Sequence, residues 1–110
     1  MSTDRELLEL AAKAIGCLVT GWNTAQSEVV AVLDDGSFWQ PLHKNRITDC
    51  DGDALRLAVK LGLLVEVQSS VTTVATMRKA VIDEAHDLDP YAATRRAIVR
   101  AAAAIGEKMP

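Results

Sequence analysis

Aromatic side chains are scarce: two Trp, one Tyr and one Phe in 110 residues. A core built on stacked rings is therefore excluded, and an aliphatic, alanine-rich interior is expected, with Trp39 and Phe38 as its large pieces. Cysteine is nearly absent. Cys17 and Cys50 could pair in principle, but a metal site built on cysteine needs more ligands at closer spacing. No apolar run approaches the ~20 residues that span a bilayer. The start, Ser2-Thr3-Asp4-Arg5-Glu6, offers no apolar signal segment, which implies a reducing cytoplasm. There Cys17 reads as a small buried hydrophobe and Cys50 as a loop thiol. Missing as well are a Gly-rich phosphate loop, a Gly-x-Ser-x-Gly elbow, Cys-x-x-Cys and His-Glu-x-x-His. Nothing in the chain spells out a catalytic set or a cofactor site, so a non-enzymatic protein is expected.

Charge is balanced towards acid: 15 Asp and Glu against 12 Lys and Arg, for a net charge of −3. That argues against binding nucleic acid by bulk electrostatics. With 49% apolar and 25% charged residues, the composition is that of one globular domain able to bury its own core.

The pattern of the chain is helix, hairpin, helix, hairpin, helix. Residues 3 to 15 form a first helix, with Thr3 and Glu6 at capping-box spacing and Leu7, Leu10, Ala11, Ala14 and Ile15 on its buried face. Gly16 ends it. A strand over 17–20 leads to a Gly21-Trp22-Asn23 turn, and strands over 28–33 and 37–40 flank Asp34-Asp35-Gly36, a strong hairpin signal. Pro41 closes that strand. After a polar connection, His43 to Cys50, Asp51 is the expected N-cap of a second helix, with Asp53 in its first turn. Ala54, Leu57, Ala58 and Leu61 give its face, Leu55 and Val59 broaden it, and Gly62 stops it, so it should be well buried.

Strands are expected over 63–68 and 71–77. The 78–87 segment suits a third strand around 80–82 or a short helix, with strand preferred. Asp89-Pro90 opens the last helix, whose seam is Tyr91, Thr94, Ile98, Ala101 and Ile105, with Gly106 as its stop. Leu8 to Lys13 also echoes Leu55 to Lys60, as a duplicated helix–hairpin unit would.

Candidate sites are few. Arg95, Arg96 and Arg100 make a basic strip on the last helix, fit for phosphate or an acidic partner, although the plainer reading of a solvated face pairing with nearby carboxylates is preferred. Trp22, in a turn, is the aromatic best placed for partner contact, whereas Trp39 reads as a core anchor. His43 and His86 read as exposed loop histidines. Asp49, Asp51 and Asp53 alternate like the start of a calcium loop, but Ala54 and Lys60 stand where glycine and glutamate would be needed.

The runs Trp39-Gln-Pro-Leu, Asp51-Gly-Asp-Ala-Leu-Arg-Leu-Ala-Val-Lys-Leu and Tyr91-Ala-Ala-Thr-Arg-Arg-Ala-Ile-Val-Arg resemble those of small phage and prophage proteins grouped as the phage ABA-sandwich domain family. The resemblance spans nearly the whole chain, although His43 to Cys50 looks like a lengthened connection. It implies a single α+β domain with an antiparallel sheet sandwiched by three helices, and it carries no catalytic residues. The function it implies is that of an accessory protein that binds a host, phage or defence protein, with room for a homodimer. A small-ligand or nucleotide binder using Arg95, Arg96 or Arg100 is the alternative.

Overall fold

A computed structural model describes residues 3–23, 30–42, 50–77, 80–87 and 89–109. The connection from His43 onwards lies outside the described residues up to 49. Among the described residues three helices and six strands follow one another as α1 (Asp4–Ala14), β1 (Val19–Trp22), β2 (Ala31–Leu33), β3 (Phe38–Trp39), α2 (Cys50–Leu61), β4 (Leu64–Val67), β5 (Val71–Ala75), β6 (Val81–Ala85) and α3 (Pro90–Glu107). The α+β class and the strand in the 78–87 segment are as expected. The single sheet is not: the described strands form two antiparallel meanders, β1-β2-β3 and β4-β5-β6.

Local chemistry sets most ends. The Thr3 hydroxyl accepts the Glu6 N–H at 3.2 Å to start α1. At its end Gly16 turns left-handed (φ +76°), so Cys17 N–H reaches Ala12 O at 2.9 Å. α2 ends the same way, with Gly62 at φ +63° and Leu63 N–H on Ala58 O at 2.9 Å. Superimposing the two glycines brings Leu8, Ala11 and Ala12, the buried residues of α1, onto Ala54, Leu57 and Ala58, which are buried in α2. The structural repeat is therefore one residue out of step with the sequence echo that set Leu8 on Leu55. In the Asp34–Gly36 turn, the Ser37 hydroxyl (2.5 Å) and N–H (2.9 Å) both bond Asp35 and hold its carboxyl below the ordinary aspartate value.

α3 is the centre of the molecule. It packs on α1, α2, β5 and β6, burying Ala97, Ile98, Val99, Ala101 and Ala102. Its alanines allow close approach, which puts the α1 backbone against Gly106. The helix does not stop at that glycine but runs on to Glu107. The core joins these residues to Leu8, Ala31, Leu33, Trp39, Leu57 and Val74.

Several faces differ from the periodic reading, because which stripe is buried depends on where α3 lies. Leu8 and Ala12 are buried on α1, whereas Leu7, Leu10, Ala14 and Ile15 are only half-buried. On α2 the expected face of Ala54, Leu57 and Ala58 is buried, and only the flanking Leu55 and Val59, 61% and 74% exposed, are uncovered. Phe38 and Tyr91 are exposed rather than core residues. α2 already begins at Cys50, so Cys50 is a helix residue and Asp51 lies within the first turn rather than capping it. Cys17 is free and half-buried.

His86 is buried, not a solvated loop residue. Its Nε2 lies 2.7 Å from the Thr72 hydroxyl, which lies 2.9 Å from that of Thr94, which in turn donates to Pro90 O at 2.8 Å. Because Thr94 spends its proton on Pro90, it accepts from Thr72, and Thr72 accepts from the protonated Nε2 of His86. Thr72→Val keeps the shape but leaves that N–H without its partner. The expected cost is about 1–3 kcal/mol, read as a lower urea midpoint at unchanged slope; an unchanged midpoint would mean the chain of hydroxyls is not holding β5 to α3.

Candidate functional site

The three arginines that read as a basic strip are each committed inside the fold. Arg95 is 3% exposed, and its Nη1 lies 2.7 Å from Asp51 Oδ1. Arg96 holds Asp4 at 2.9 Å, and Arg100 holds Glu84 at 2.6 Å and also donates to Asp83 O at 3.3 Å. Adjacent arginines of α3 thus grip aspartates in the first turns of α1 and α2, one on each side. Arg95 is a buried clamp between helices, whereas Arg96 and Arg100 stay 38% and 41% exposed and pair with carboxylates, as a partly solvated face does. Trp22 also moves: it lies in β1 instead of a turn, half-buried against the core, with the Arg5 guanidinium 5.0 Å from its ring centre.

The structure gathers a different feature. A groove of about 330 Å³ opens where the last turn of α2, the end of β5 and the last turns of α3 converge. Leu61, Met77, Ala80, Ala104 and Ile105 line it, with Met109 and Lys108 beside them and Thr76 as its polar wall. Thr76 is held in place by the turn it closes, its hydroxyl accepting Ala80 N–H at 3.2 Å. Met77 is 83% exposed, and a Cβ on Gly62 would lie 3.6 Å from its sulfur, so the methionine stands against the end of α2.

Further apolar side chains are exposed on the second sheet and on α2. Strand register aligns Leu64, Ala75 and Val81 across the second sheet, and Leu64 and Val81 are both exposed. Alternation places this row on the side away from Val74, the buried residue between α3 and the sheet. Leu55 and Val59 add an exposed stripe on α2. Among the described residues Lys108 is the only charged side chain at the groove, whose lining suits holding an apolar group beside an acid.

Sequence periodicity did not point here, because the groove is made from element ends. One signal was available: apart from Met1, the chain's methionines are Met77 and Met109, and both stand at this groove. Flexible, polarisable methionine is a residue of adaptable binding surfaces.

Among the described residues no group of three or more His, Cys, Asp or Glu is arranged to hold a metal ion. No described helix is long and apolar enough to cross a membrane. No family model, curated protein or solved structure matches this chain.

Proposed function

We propose that this chain is a phage- or prophage-encoded accessory protein that works in the host cytoplasm as a non-catalytic protein-binding module, its partner a host or defence component. The observation that carries this reading is the methionine-edged groove, in a fold that also leaves Leu55, Val59, Leu64 and Val81 exposed. Partners of such surfaces anchor through one or two apolar side chains in a pocket, and a neighbouring Lys108 suits a carboxylate on the partner. The resemblance of Trp39-Gln-Pro-Leu and of the Asp51 and Tyr91 runs to phage ABA-sandwich proteins supports the source and the sandwich arrangement of helices and sheet.

The alternative, a ligand or nucleotide held by Arg95, Arg96 or Arg100, is less favoured. A phosphate there would have to displace Asp51, Asp4 or Glu84.

Met77→Glu tests the reading without touching the core, since Met77 is so exposed. The expected result is that a host protein captured from infected-cell lysate by the wild type is lost with Met77→Glu and with Val81→Glu, at unchanged melting temperature. Capture indifferent to both would overturn the assignment of the surface. Light scattering on a sizing column adds the second-copy case: a dimer that dissociates with Met77→Glu makes another copy of this chain the occupant.

A further inference from the structure

A second cleft lies on the other side of α2, against the β2–β3 hairpin, and the protein-binding reading does not use it. It encloses about 420 Å³. Leu33, Trp39 and Leu57 form its apolar floor, and Phe38, Arg56 and Lys60 stand around them.

Three features of this cleft suit a ligand. Strand alternation turns Trp39 inward and leaves Phe38, one of four aromatic residues, 55% exposed at the rim. Arg56 and Lys60 stand one helical turn apart, so two cations share one side of α2. Among the described residues only Arg56 finds a carboxylate: Asp53 Oδ1 takes its Nη1 at 2.9 Å, while Asp53 Oδ2 takes Gln40 N–H at 2.9 Å. Lys60 has no such partner there. Among the described residues Arg56 is paired with Asp53, and Lys60 adds a positive charge beside an uncovered ring and an apolar floor.

We propose that this cleft binds a planar aromatic anion. The ring of the ligand lies against Phe38 and the floor, where offset or edge-on packing of two rings is favourable. Its anionic group meets the Lys60 ammonium and the free N–H groups of Arg56. A cleft of this size falls within the roughly 300–1,000 Å³ of small-molecule sites. Two kinds of ligand share the required chemistry, a nucleoside phosphate and an aromatic carboxylate.

The test is a titration of the ¹⁵N-labelled full chain with adenosine 5′-monophosphate and, separately, with 2-naphthoate. Inorganic phosphate and cyclohexanecarboxylate serve as controls that carry the charge without the aromatic ring. The expected result is that at least one aromatic anion shifts the Phe38, Trp39 and Lys60 resonances, and that its ring-free control binds at least about tenfold more weakly. Lys60→Glu should weaken binding by about tenfold or more, and Phe38→Ala by roughly fivefold. Both positions are exposed, and unchanged melting of each variant shows that the fold is intact. Binding by the nucleotide alone assigns the site to phosphate-bearing ligands, and binding by naphthoate alone to aromatic acids. No cleft-centred shift with either probe, equal binding of the ring-free controls, or binding indifferent to Lys60→Glu would overturn the proposal.

Discussion

Gly106→Ala is expected to lower the stability of this protein by roughly 3 kcal/mol, a fall in melting temperature of about 10 °C or more. The sign runs against helix propensity, on which alanine is better than glycine by about 1 kcal/mol inside a helix. Packing decides it. A Cβ at position 106 would lie within 1.9 Å of Leu10 O and 2.8 Å of Leu10 C, both backbone atoms of α1. No rotamer change relieves a contact with backbone. Relief requires the last turn of α3 to lift from α1, which also pulls Ile105 and Met109 away from the groove and strains the 3.0 Å bond from Lys13 Nζ to Met109 O. Gly52→Ala is the matched control. Among the described residues a Cβ there meets only the end of the flexible Arg56 side chain, at 3.4 Å, so propensity should prevail and stability rise by about 0.5 kcal/mol. Thermal melts of both variants suffice; two shifts of the same sign would refute the close-packing account.

Arg95→Ala should be comparably damaging, at about 3 kcal/mol, because it deletes a long buried side chain and leaves a cavity at the crossing of α2 and α3. The companion change, Asp51→Ala, leaves the guanidinium buried without its carboxylate, and its Nε already lacks a partner. Stranding a fully buried charge costs about 3–5 kcal/mol. Asp51 is itself 62% exposed at the side chain, so solvent screens the pair and about 2 kcal/mol is the better expectation. Arg95→Met fills the space with no charge to satisfy and should cost less than either. The decisive measurement is the cycle in urea: Asp51→Ala should be nearly silent once residue 95 is methionine. An equal loss in both backgrounds would show that Asp51 acts through the helix start and not through Arg95.

The arginines show how far the sequence could be read. Their spacing does place them on one helix, and a strip of cations on an exposed helix is ordinarily solvated. Arg95 alone is buried, while Arg96 and Arg100 keep 38% and 41% of their side chains exposed, and the partners lie far away in the chain: Asp4 is 92 residues from Arg96, and Asp51 is 44 from Arg95. No periodicity reports a partner at that distance. His86 was misplaced for the same reason, since Thr72 of β5 reaches it and is itself held by Thr94 of α3. Trp22 was expected to be free in a turn, but β1 extends through it and Arg5 covers its ring.

By itself the sequence determined the α+β class, the order of the helices and strands, the two glycine helix ends at Gly16 and Gly62 and the Asp-Gly turn. Each rests on chemistry within about five residues, a cap, a positive φ or a missing N–H, which the chain carries wherever it folds. The tertiary structure alone decided that the strands form two sheets, which stripe of each helix is buried, that Arg95 clamps helices together and that Gly106 is a contact point and not a stop. It also decided where grooves open. Those outcomes depend on how α3 seats between the two halves, and burial is a property of that packing rather than of any single element.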